Sequence, residues 1–175
     1  MNIFLIGYMG SGKSTTGKIL AKKLNMKFID LDDIIERDEK KTIEDLFVKE
    51  GEIKFREIEH NYLKKTIKDK NIVLSLGGGT PCYYNNMELI KKNGISVYLK
   101  MSAGSLYNRL INSKKSRPLI KKMKNKDLKE FIESTLTDRK KYYEQADCII
   151  NAINLKIKQL INLVSQNQKK QTPNH

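Results

Sequence analysis

The sequence predicts an α/β protein, with a five-stranded parallel sheet between two layers of helices. Three observations favour this class. Short apolar runs alternate with amphipathic segments of helical length along most of the chain. A strand, a helix and a second strand follow one another near the start, which is the βαβ order of a parallel sheet. A glycine-rich turn joins that first strand to the helix, as in proteins that bind phosphate groups.

The first predicted strand, 3–6, leads directly into the pattern G-x-x-x-x-G-K-S at 7–14, which is typical of a phosphate-binding P-loop. Its glycines allow the backbone to curl so that N–H groups surround phosphate oxygens. A helix predicted over 13–24 adds its positive N-terminal end. Nucleotide phosphates are therefore expected at Gly10, Ser11, Gly12, Lys13, Ser14 and Thr15.

Two side chains of this loop have distinct expected roles. Lys13 carries the positive charge for the β- and γ-phosphates of ATP. The Ser14 hydroxyl is placed to ligate Mg²⁺. The alternative, a glycine-rich turn that binds nothing, fits poorly because a strand and a helix flank the loop.

The remaining elements follow from the same patterns. The run 27–32 predicts a second strand, and a capping box at Thr42 predicts a helix that ends at Gly51. The polar tail 166–175 is expected to be disordered, and residues 1–165 to form one domain. Further strands are predicted at 72–76, 95–99 and 148–150. In the helix 13–24, Ile19, Leu20 and Leu24 are expected to face inward. Further helices are predicted at 52–68, 86–92, 105–111, 128–143 and 155–164.

The composition of the chain limits the kinds of partner and the cellular location that we expect. The formal net charge is +14, yet most lysines occur as scattered doublets on polar helix faces, so no nucleic-acid partner is expected. The sequence contains no run of about 18 apolar residues, so no membrane span is predicted. No signal peptide is expected, because the P-loop already begins at residue 7. The two cysteines have no paired spacing, which suits a protein of the reducing cytoplasm. A monomer is expected.

Two carboxylates follow the predicted second strand closely. Asp30 and Asp32 lie two apart, so on a strand both would point to one face, at the edge where ligands bind in parallel sheets. Asp30 is the nearest candidate for a metal contact, because the strand 72–76 ends without an acid. The alternative is that one or both of these residues cap the helix that follows.

Three further features are candidates for substrate contacts. The triplet Gly77-Gly78-Gly79 allows a ligand to lie against the backbone, although a plain tight turn is the alternative. Arg56 and Arg139, taken singly, are ordinary helix charges. Arg117 lies in a basic segment, 112–124, that contains no acid, and this composition predicts a mobile lid that phosphates would order.

Together these residues resemble shikimate kinase. The resemblance spans residue 7 to about residue 146. It comprises the P-loop, the Asp30-Leu31-Asp32 pair, the pattern from Ile43 through Gly51-Glu52 to Arg56 and Glu59, the glycine triplet, Arg117-Pro118-Leu119, and Arg139 with Tyr143. No single piece identifies the family, but their order and spacing together are specific.

The resemblance implies a role for each matching residue. Lys13, Asp32 and Arg117 would be catalytic, with Asp32 binding the shikimate hydroxyl and taking its proton, and Arg117 reaching the transferring phosphoryl group. Ser14 and Asp30 would hold Mg²⁺. The shikimate carboxylate would be bound by Arg56, Arg139 and the amides of Gly78 and Gly79. Whether Tyr142 or Tyr143 fills the tyrosine position of the family is open, and Arg109 is a candidate adenine contact.

The implied activity is the ATP-dependent phosphorylation of the shikimate 3-hydroxyl, a step towards aromatic amino acids. Rival hypotheses are another small-metabolite kinase, such as a gluconate-type or nucleoside monophosphate kinase, and a non-catalytic ligand-binding module. The two arginines and the glycine triplet favour a carboxylate-bearing substrate over a neutral sugar or a nucleobase. The joint presence of Lys13 and the two aspartates favours an enzyme over a binding module.

Overall fold

The computed structural model describes residues 1–113 and 123–171 of the chain. Within them, five strands form one sheet in the order β2-β3-β1-β4-β5, and every neighbouring pair is parallel. The predicted five-stranded parallel sheet is therefore confirmed. The strands are β1 (Ile3–Ile6), β2 (Lys27–Asp30), β3 (Ile72–Ser75), β4 (Ile95–Lys100) and β5 (Cys148–Asn151).

Helices cover both faces of the sheet, as the three-layer α/β/α prediction requires. A short 3₁₀ turn (Thr80–Cys82) lies between β3 and the helix after it. The helices are α1 (Lys13–Leu24), α2 (Leu31–Glu39), α3 (Ile43–Thr66), α4 (Asn86–Asn93), α5 (Ala103–Ile111), α6 (Asn125–Tyr143) and α7 (Ile157–Gln171).

The alternation of side chains along β1 divides the core in two. Ile3 and Leu5 face a cluster built with α1, α5, α6 and α7, whereas Phe4 and Ile6 face one built with α2, α3 and α4. All four side chains are fully buried. A strand covered on both faces reads as a continuous apolar run, which is why this segment was recognisable from sequence.

Several predicted boundaries differ from the structure. The second strand ends at Asp30, and helix α2 begins at the next residue, because the Asp30 side chain caps that helix. Ile19, predicted to face inward, is 44% exposed, and the inner face of α1 is formed by Gly17, Leu20 and Ala21. Helix α7 continues to Gln171, so residues 166–171 of the predicted disordered tail are helical.

Helix α3 is bent where the sequence predicted a stop. Gly51 has φ 78° and ψ 166°, which interrupts the helix between a first segment that begins after the Thr42 cap and a longer second segment. The second segment carries Arg56 and Glu59 on its buried side. The expected break at Gly51 is confirmed, and it turns the two halves of α3 around one cavity.

We predict that Gly17→Ala destabilises the protein although alanine is the better helix former. A β-carbon at Gly17 would lie 2.5 Å from Phe28 Cε2 and 3.0 Å from Leu5 Cδ1. The resulting overpacking is expected to lower the free energy of unfolding by about 1–3 kcal/mol in urea titrations.

Gly104→Ala in α5 is the matched control, because nothing lies within 4 Å of its added β-carbon. This variant should be more stable than the wild type by up to about 1 kcal/mol. Equal shifts in the two variants would contradict the assigned close packing of α1 on Phe28.

Candidate active site

The P-loop turns sharply between β1 and α1. Gly7, Gly10 and Gly12 have φ values of 142°, 83° and 94°, which residues with a β-carbon rarely adopt. The Lys13 ammonium donates hydrogen bonds of 2.8 and 2.9 Å to the carbonyl oxygens of Gly7 and Tyr8. The lysine side chain thus folds back over the loop that carries it.

Ser14 and Asp30 meet at the carboxyl edge of the sheet. The Ser14 hydroxyl donates to Asp30 Oδ2 at 2.6 Å, and Asp30 Oδ1 accepts the Asp32 backbone N–H at 3.2 Å. One carboxylate therefore both caps α2 and contacts the first turn of α1. A serine hydroxyl beside a carboxylate is a pair of hard oxygen donors, which suits Mg²⁺ shared with phosphate oxygens and waters.

The prediction that Asp30 and Asp32 lie on one strand is wrong. Only Asp30 belongs to β2, and Asp32 lies in the first turn of α2. The capping alternative holds for Asp30, since its side chain satisfies a free N–H of the helix. Both carboxylates nevertheless line the same cavity, because the strand ends at that point.

Asp32 is held in an environment that opposes its negative charge. Burial, followed by the carboxylates of Glu59 and Asp30, raises the pKa of its carboxyl from 3.8 to about 7, although Lys13 acts to lower it. A carboxyl with a pKa near neutrality exchanges protons readily at physiological pH. Asp32 is therefore suited to accept a proton from a substrate hydroxyl.

The glycine triplet is required by space rather than by backbone conformation. A β-carbon at Gly77 would lie 3.1 Å from Asp32 Oδ1, and one at Gly78 would lie 3.1 Å from Arg139 Nη1. At Gly79 it would lie 2.6 Å from the Arg56 guanidinium. None of the three has a positive φ. The plain-turn alternative does not account for a segment that three charged side chains approach so closely.

Arg56 is almost completely buried, unlike an ordinary helix-surface arginine. Its Nη1 donates to Glu59 Oε2 at 2.8 Å, and its Nη2 donates to Glu52 Oε1 at 3.2 Å. Glu59 is only 1% exposed, and its other oxygen accepts a short hydrogen bond from the Thr80 hydroxyl. The guanidinium is thus held against the end of the glycine triplet by two carboxylates.

Arg139 reaches the triplet from α6. Its guanidinium carbon lies 5.6 Å from the ring centre of Tyr8, which belongs to the P-loop. Tyr143, one turn later, is fully buried and donates its hydroxyl to the Gly78 carbonyl. Of the two candidate tyrosines, it is Tyr143 that contacts the site.

Most of the residues described above line one cavity of about 810 Å³. Its wall combines the P-loop, the start of α2, both halves of α3, the glycine triplet and Arg139. Arg109 of α5 closes the P-loop side, with its Nη1 3.4 Å from the Gly10 carbonyl oxygen. Of the predicted site residues, Gly10, Gly12, Lys13, Ser14, Thr15, Asp30, Asp32, Arg56, Gly78, Gly79 and Arg139 all line it.

Two predicted residues are not in this set. Ser11 is buried within the loop itself, at 2% exposure. Arg117, with residues 114–122, lies outside the described residues, and so does most of the predicted lid. The described residues contain no group of three or more His, Cys, Asp or Glu side chains arranged for a metal, and no helix among them is long and apolar enough to span a membrane.

Several residues outside the predicted set organise the site. Glu59 and Glu52 hold Arg56, while Thr80 and Tyr83 lie in the turn after the triplet. The spacing of Arg56 and Glu59 by three residues on a helix was the available signal for one of these contacts. Tyr83 had no comparable signal, because its partner Glu52 lies 31 positions away.

Three comparisons with known proteins agree on one family. A family model described as shikimate kinase matches residues 9–168. The shikimate kinase of Azobacteroides pseudotrichonymphae is 52% identical over 148 residues, which are 84% of this chain and 87% of that protein. The crystal structure of shikimate kinase from Bacteroides thetaiotaomicron superposes with a TM-score of 0.87 at 41% identity and covers 97% of each chain.

A second solved structure adds a bound ligand. The shikimate kinase of Acinetobacter baumannii, in complex with shikimate, has a TM-score of 0.86 at 34% identity and covers 95% of this chain and 94% of its own.

We predict that Asp32→Asn stabilises the fold above neutral pH. The folded-state pKa of Asp32 is raised from 3.8 to about 7, so the free energy of unfolding falls as pH rises from about 4 to about 7. Asparagine stays uncharged and avoids that loss. The variant should exceed the wild type by about 1–2 kcal/mol at pH 8, a value reduced for partial solvent exposure, and match it near pH 4.

Urea unfolding at several pH values measures this difference. Asp69→Asn makes the same chemical change at an exposed position and should leave the pH dependence unaltered. A difference between wild type and Asp32→Asn that is the same at pH 4 and pH 8 would contradict the proposed cost of charging this carboxyl.

Proposed function

Because this chain belongs to the shikimate kinase family, we propose that it transfers the γ-phosphoryl group of ATP to the 3-hydroxyl of shikimate. The products are shikimate 3-phosphate and ADP, on the route to aromatic amino acids. One observation carries this proposal beyond family membership. Three consecutive glycines are approached by Asp32, Arg139 and Arg56, so a proton acceptor and two guanidinium groups surround one short stretch of backbone.

The two arginines are proposed to bind the carboxylate of shikimate. Arg56 comes from α3 and Arg139 from α6, and the Gly78 and Gly79 amides lie between them. Guanidinium groups suit carboxylates because their planar N–H donors match two oxygens at once. A nucleobase offers no carboxylate to these guanidinium groups, which disfavours a nucleotide kinase. Gluconate does carry a carboxylate, so turnover has to distinguish it from shikimate.

Asp32 is proposed to accept the proton of the reacting hydroxyl. Its raised pKa makes the carboxylate a better base than an ordinary aspartate. As the hydroxyl oxygen forms its bond to the γ-phosphorus, the bond from that phosphorus to the β-phosphate oxygen breaks, and the proton remains on Asp32. The nearby acids Glu59 and Asp30, which raise the pKa, favour this protonation.

Lys13 and the P-loop are proposed to hold the triphosphate, with Gly10, Ser11, Gly12 and Thr15 around it. The Lys13 ammonium neutralises charge on the β- and γ-phosphate oxygens, which is the main demand of phosphoryl transfer. Ser14 and Asp30 are the residues that would hold Mg²⁺. When bound, Mg²⁺ supplies further charge neutralisation and orientation of the phosphates.

Other expectations stay predictions. Arg117 is assigned to the transferring phosphoryl group by the resemblance to the family alone, whereas the lid over 112–124 is predicted from the basic composition of that segment. Arg109 lies against the P-loop, a position that supports its proposed contact with the nucleotide. The single-domain boundary, monomeric state, cytoplasmic location and lack of a nucleic-acid partner are likewise expectations from sequence.

The proposed activity is tested by ADP release with shikimate, quinate, gluconate and nucleoside monophosphates as acceptors. Turnover with shikimate at least about 10²-fold above the others supports the proposal. Nucleoside monophosphates lack the carboxylate, whose contacts alone are worth about 10- to 150-fold, whereas quinate and gluconate keep a carboxylate and test the fit of the rest of the molecule. Equal or faster turnover with gluconate or a nucleotide would contradict it. ³¹P NMR of the product identifies the phosphorylated hydroxyl.

We predict that Asp32→Asn lowers kcat for shikimate by about 10² to 10⁴, because the amide cannot accept the proton. The KM for ATP should change little, since the P-loop is untouched. Initial-rate kinetics in both substrates measure the two effects separately. Near-normal turnover would remove Asp32 from the chemical step.

We predict that Arg139→Ala weakens shikimate binding by about 10- to 150-fold, the value of a lost charge-assisted hydrogen bond. Isothermal titration with shikimate and with ATP measures the change for each ligand. Lys140→Ala removes a neighbouring positive charge that is 67% exposed and should leave both affinities unchanged. Weaker ATP binding with unchanged shikimate binding would refute the assignment of Arg139 to the carboxylate.

A further inference from the structure

The turn that follows the glycine triplet surrounds Arg56 from two directions. Its first residue, Thr80, is fully buried and donates its hydroxyl to Glu59, the buried partner of Arg56. The residue after the turn, Tyr83, lies against the guanidinium itself. One four-residue segment, 80–83, therefore supplies both a hydrogen bond to the charge partner of this arginine and its aromatic neighbour.

Tyr83 makes two contacts that bear on the orientation of Arg56. Its ring centre lies 4.4 Å from the guanidinium carbon, closer than the rings of Phe47 and Phe55, which are both at 5.3 Å. Its hydroxyl donates to Glu52 Oε1 at 2.8 Å. The same oxygen accepts the longer hydrogen bond, of 3.2 Å, from Arg56 Nη2.

The second contact matters because Glu52 is otherwise loosely held. Its side chain is 55% exposed, whereas that of Glu59 is 1% exposed. An exposed glutamate beside Arg56 has freedom to move, and its carboxylate competes with any ligand carboxylate for the same N–H groups. The hydrogen bond from Tyr83 fixes that carboxylate at one terminal nitrogen, and the hydroxyl bond lowers the pKa of Glu52.

The turn that carries Tyr83 is itself rigidly attached. Pro81 lies at the start of the turn, and the Cys82 N–H donates to the Gly79 carbonyl at 2.8 Å. Asn86 is fully buried, donates its side-chain amide to the Thr80 carbonyl at 2.8 Å, and donates its backbone N–H to Tyr83 at 3.2 Å. The backbone that carries Tyr83 is thus tied to the glycine triplet.

We propose that Tyr83 is a positioning residue for the carboxylate of the substrate. It acts through Arg56, by stacking on the guanidinium plane and by holding Glu52 to one side of it. Each terminal nitrogen of Arg56 carries two N–H groups and donates one of them to a glutamate. A guanidinium fixed in this plane presents its second pair of N–H groups in a constant direction, which lowers the entropy lost on binding.

This inference rests on the proposed function, because it concerns the affinity for shikimate. Tyr83→Leu removes the ring and the hydroxyl, whereas Tyr83→Phe removes the hydroxyl alone. We expect the KM and Kd for shikimate to rise by about 3- to 30-fold in Tyr83→Leu, the range of a partly to fully desolvated cation–π contact. Tyr83→Phe should lie between this variant and the wild type. The KM for ATP and kcat should stay within about 3-fold.

Tyr84→Leu is the matched control. Tyr84 is the next residue, 58% exposed, and its ring stacks on His60 with 4.7 Å between ring centres rather than on Arg56. Tyr84→Leu deletes the same side-chain atoms as Tyr83→Leu, one position along the chain. If the loss of a tyrosine merely destabilises this turn, shikimate affinity falls in both variants. We expect shikimate affinity to be unchanged in Tyr84→Leu.

A double-mutant cycle tests whether Tyr83 acts through Arg56. Arg56→Lys keeps the charge but removes the planar group on which the ring stacks. In that background, Tyr83→Leu should weaken shikimate binding by less than about 2-fold, as measured by titration calorimetry. A full effect in the Arg56→Lys background would overturn the proposal, as would a Tyr83→Leu variant with wild-type affinity for shikimate.

Two further outcomes are distinguishable. Equal losses of shikimate and ATP affinity in Tyr83→Leu would assign the residue to general stability, which also overturns the proposal. If Tyr83→Leu does not fold, Tyr83→Phe alone decides, with wild-type shikimate affinity as the contradicting result. A wild-type protein that neither binds nor phosphorylates shikimate refutes the proposed function instead.

Discussion

The ion pair between Arg56 and Glu59 is the interaction on which the candidate site depends. Their side chains are 6% and 1% exposed, so both charges have lost most of their hydration. Such a pair is stable only when geometry and additional hydrogen bonds offset the cost of desolvation. The Thr80 hydroxyl bonds the second oxygen of Glu59, and aromatic rings surround the guanidinium. The glycine triplet then leaves the space that this buried pair occupies.

The same acids that hold the arginine also set the chemistry of Asp32. Glu59 accepts a hydrogen bond from Arg56 through one oxygen, and its charge raises the pKa of Asp32. A site with several carboxylates in a small volume must leave one of them protonated or close to it near pH 7. Structure and reactivity are thus linked, because a change in the partner of Arg56 also alters the basicity of Asp32.

Elements defined by local patterns were predictable, and their boundaries were less so. The apolar runs of β1, β3 and β4 are covered on both faces, which leaves a continuous hydrophobic signal in the sequence. The end of β2 was misplaced by two residues because a carboxylate that continues a strand pattern also caps a helix. Ile19 was misassigned because the small residues Gly17 and Ala21 lie on the inner face of α1 with Leu20, and small residues give little hydrophobic signal.

Local sequence patterns encode the P-loop and the parallel sheet, because each of these depends on neighbouring positions in the chain, and they identify the charged residues as candidates. Only the tertiary structure decided that Arg56 is buried, that Tyr143 rather than Tyr142 contacts the triplet, and that Tyr83 lies on the guanidinium. These contacts join residues that are distant along the chain and meet only when the sheet brings its strand ends to one edge. Burial and desolvation are properties of that assembled edge, and no local pattern contains them.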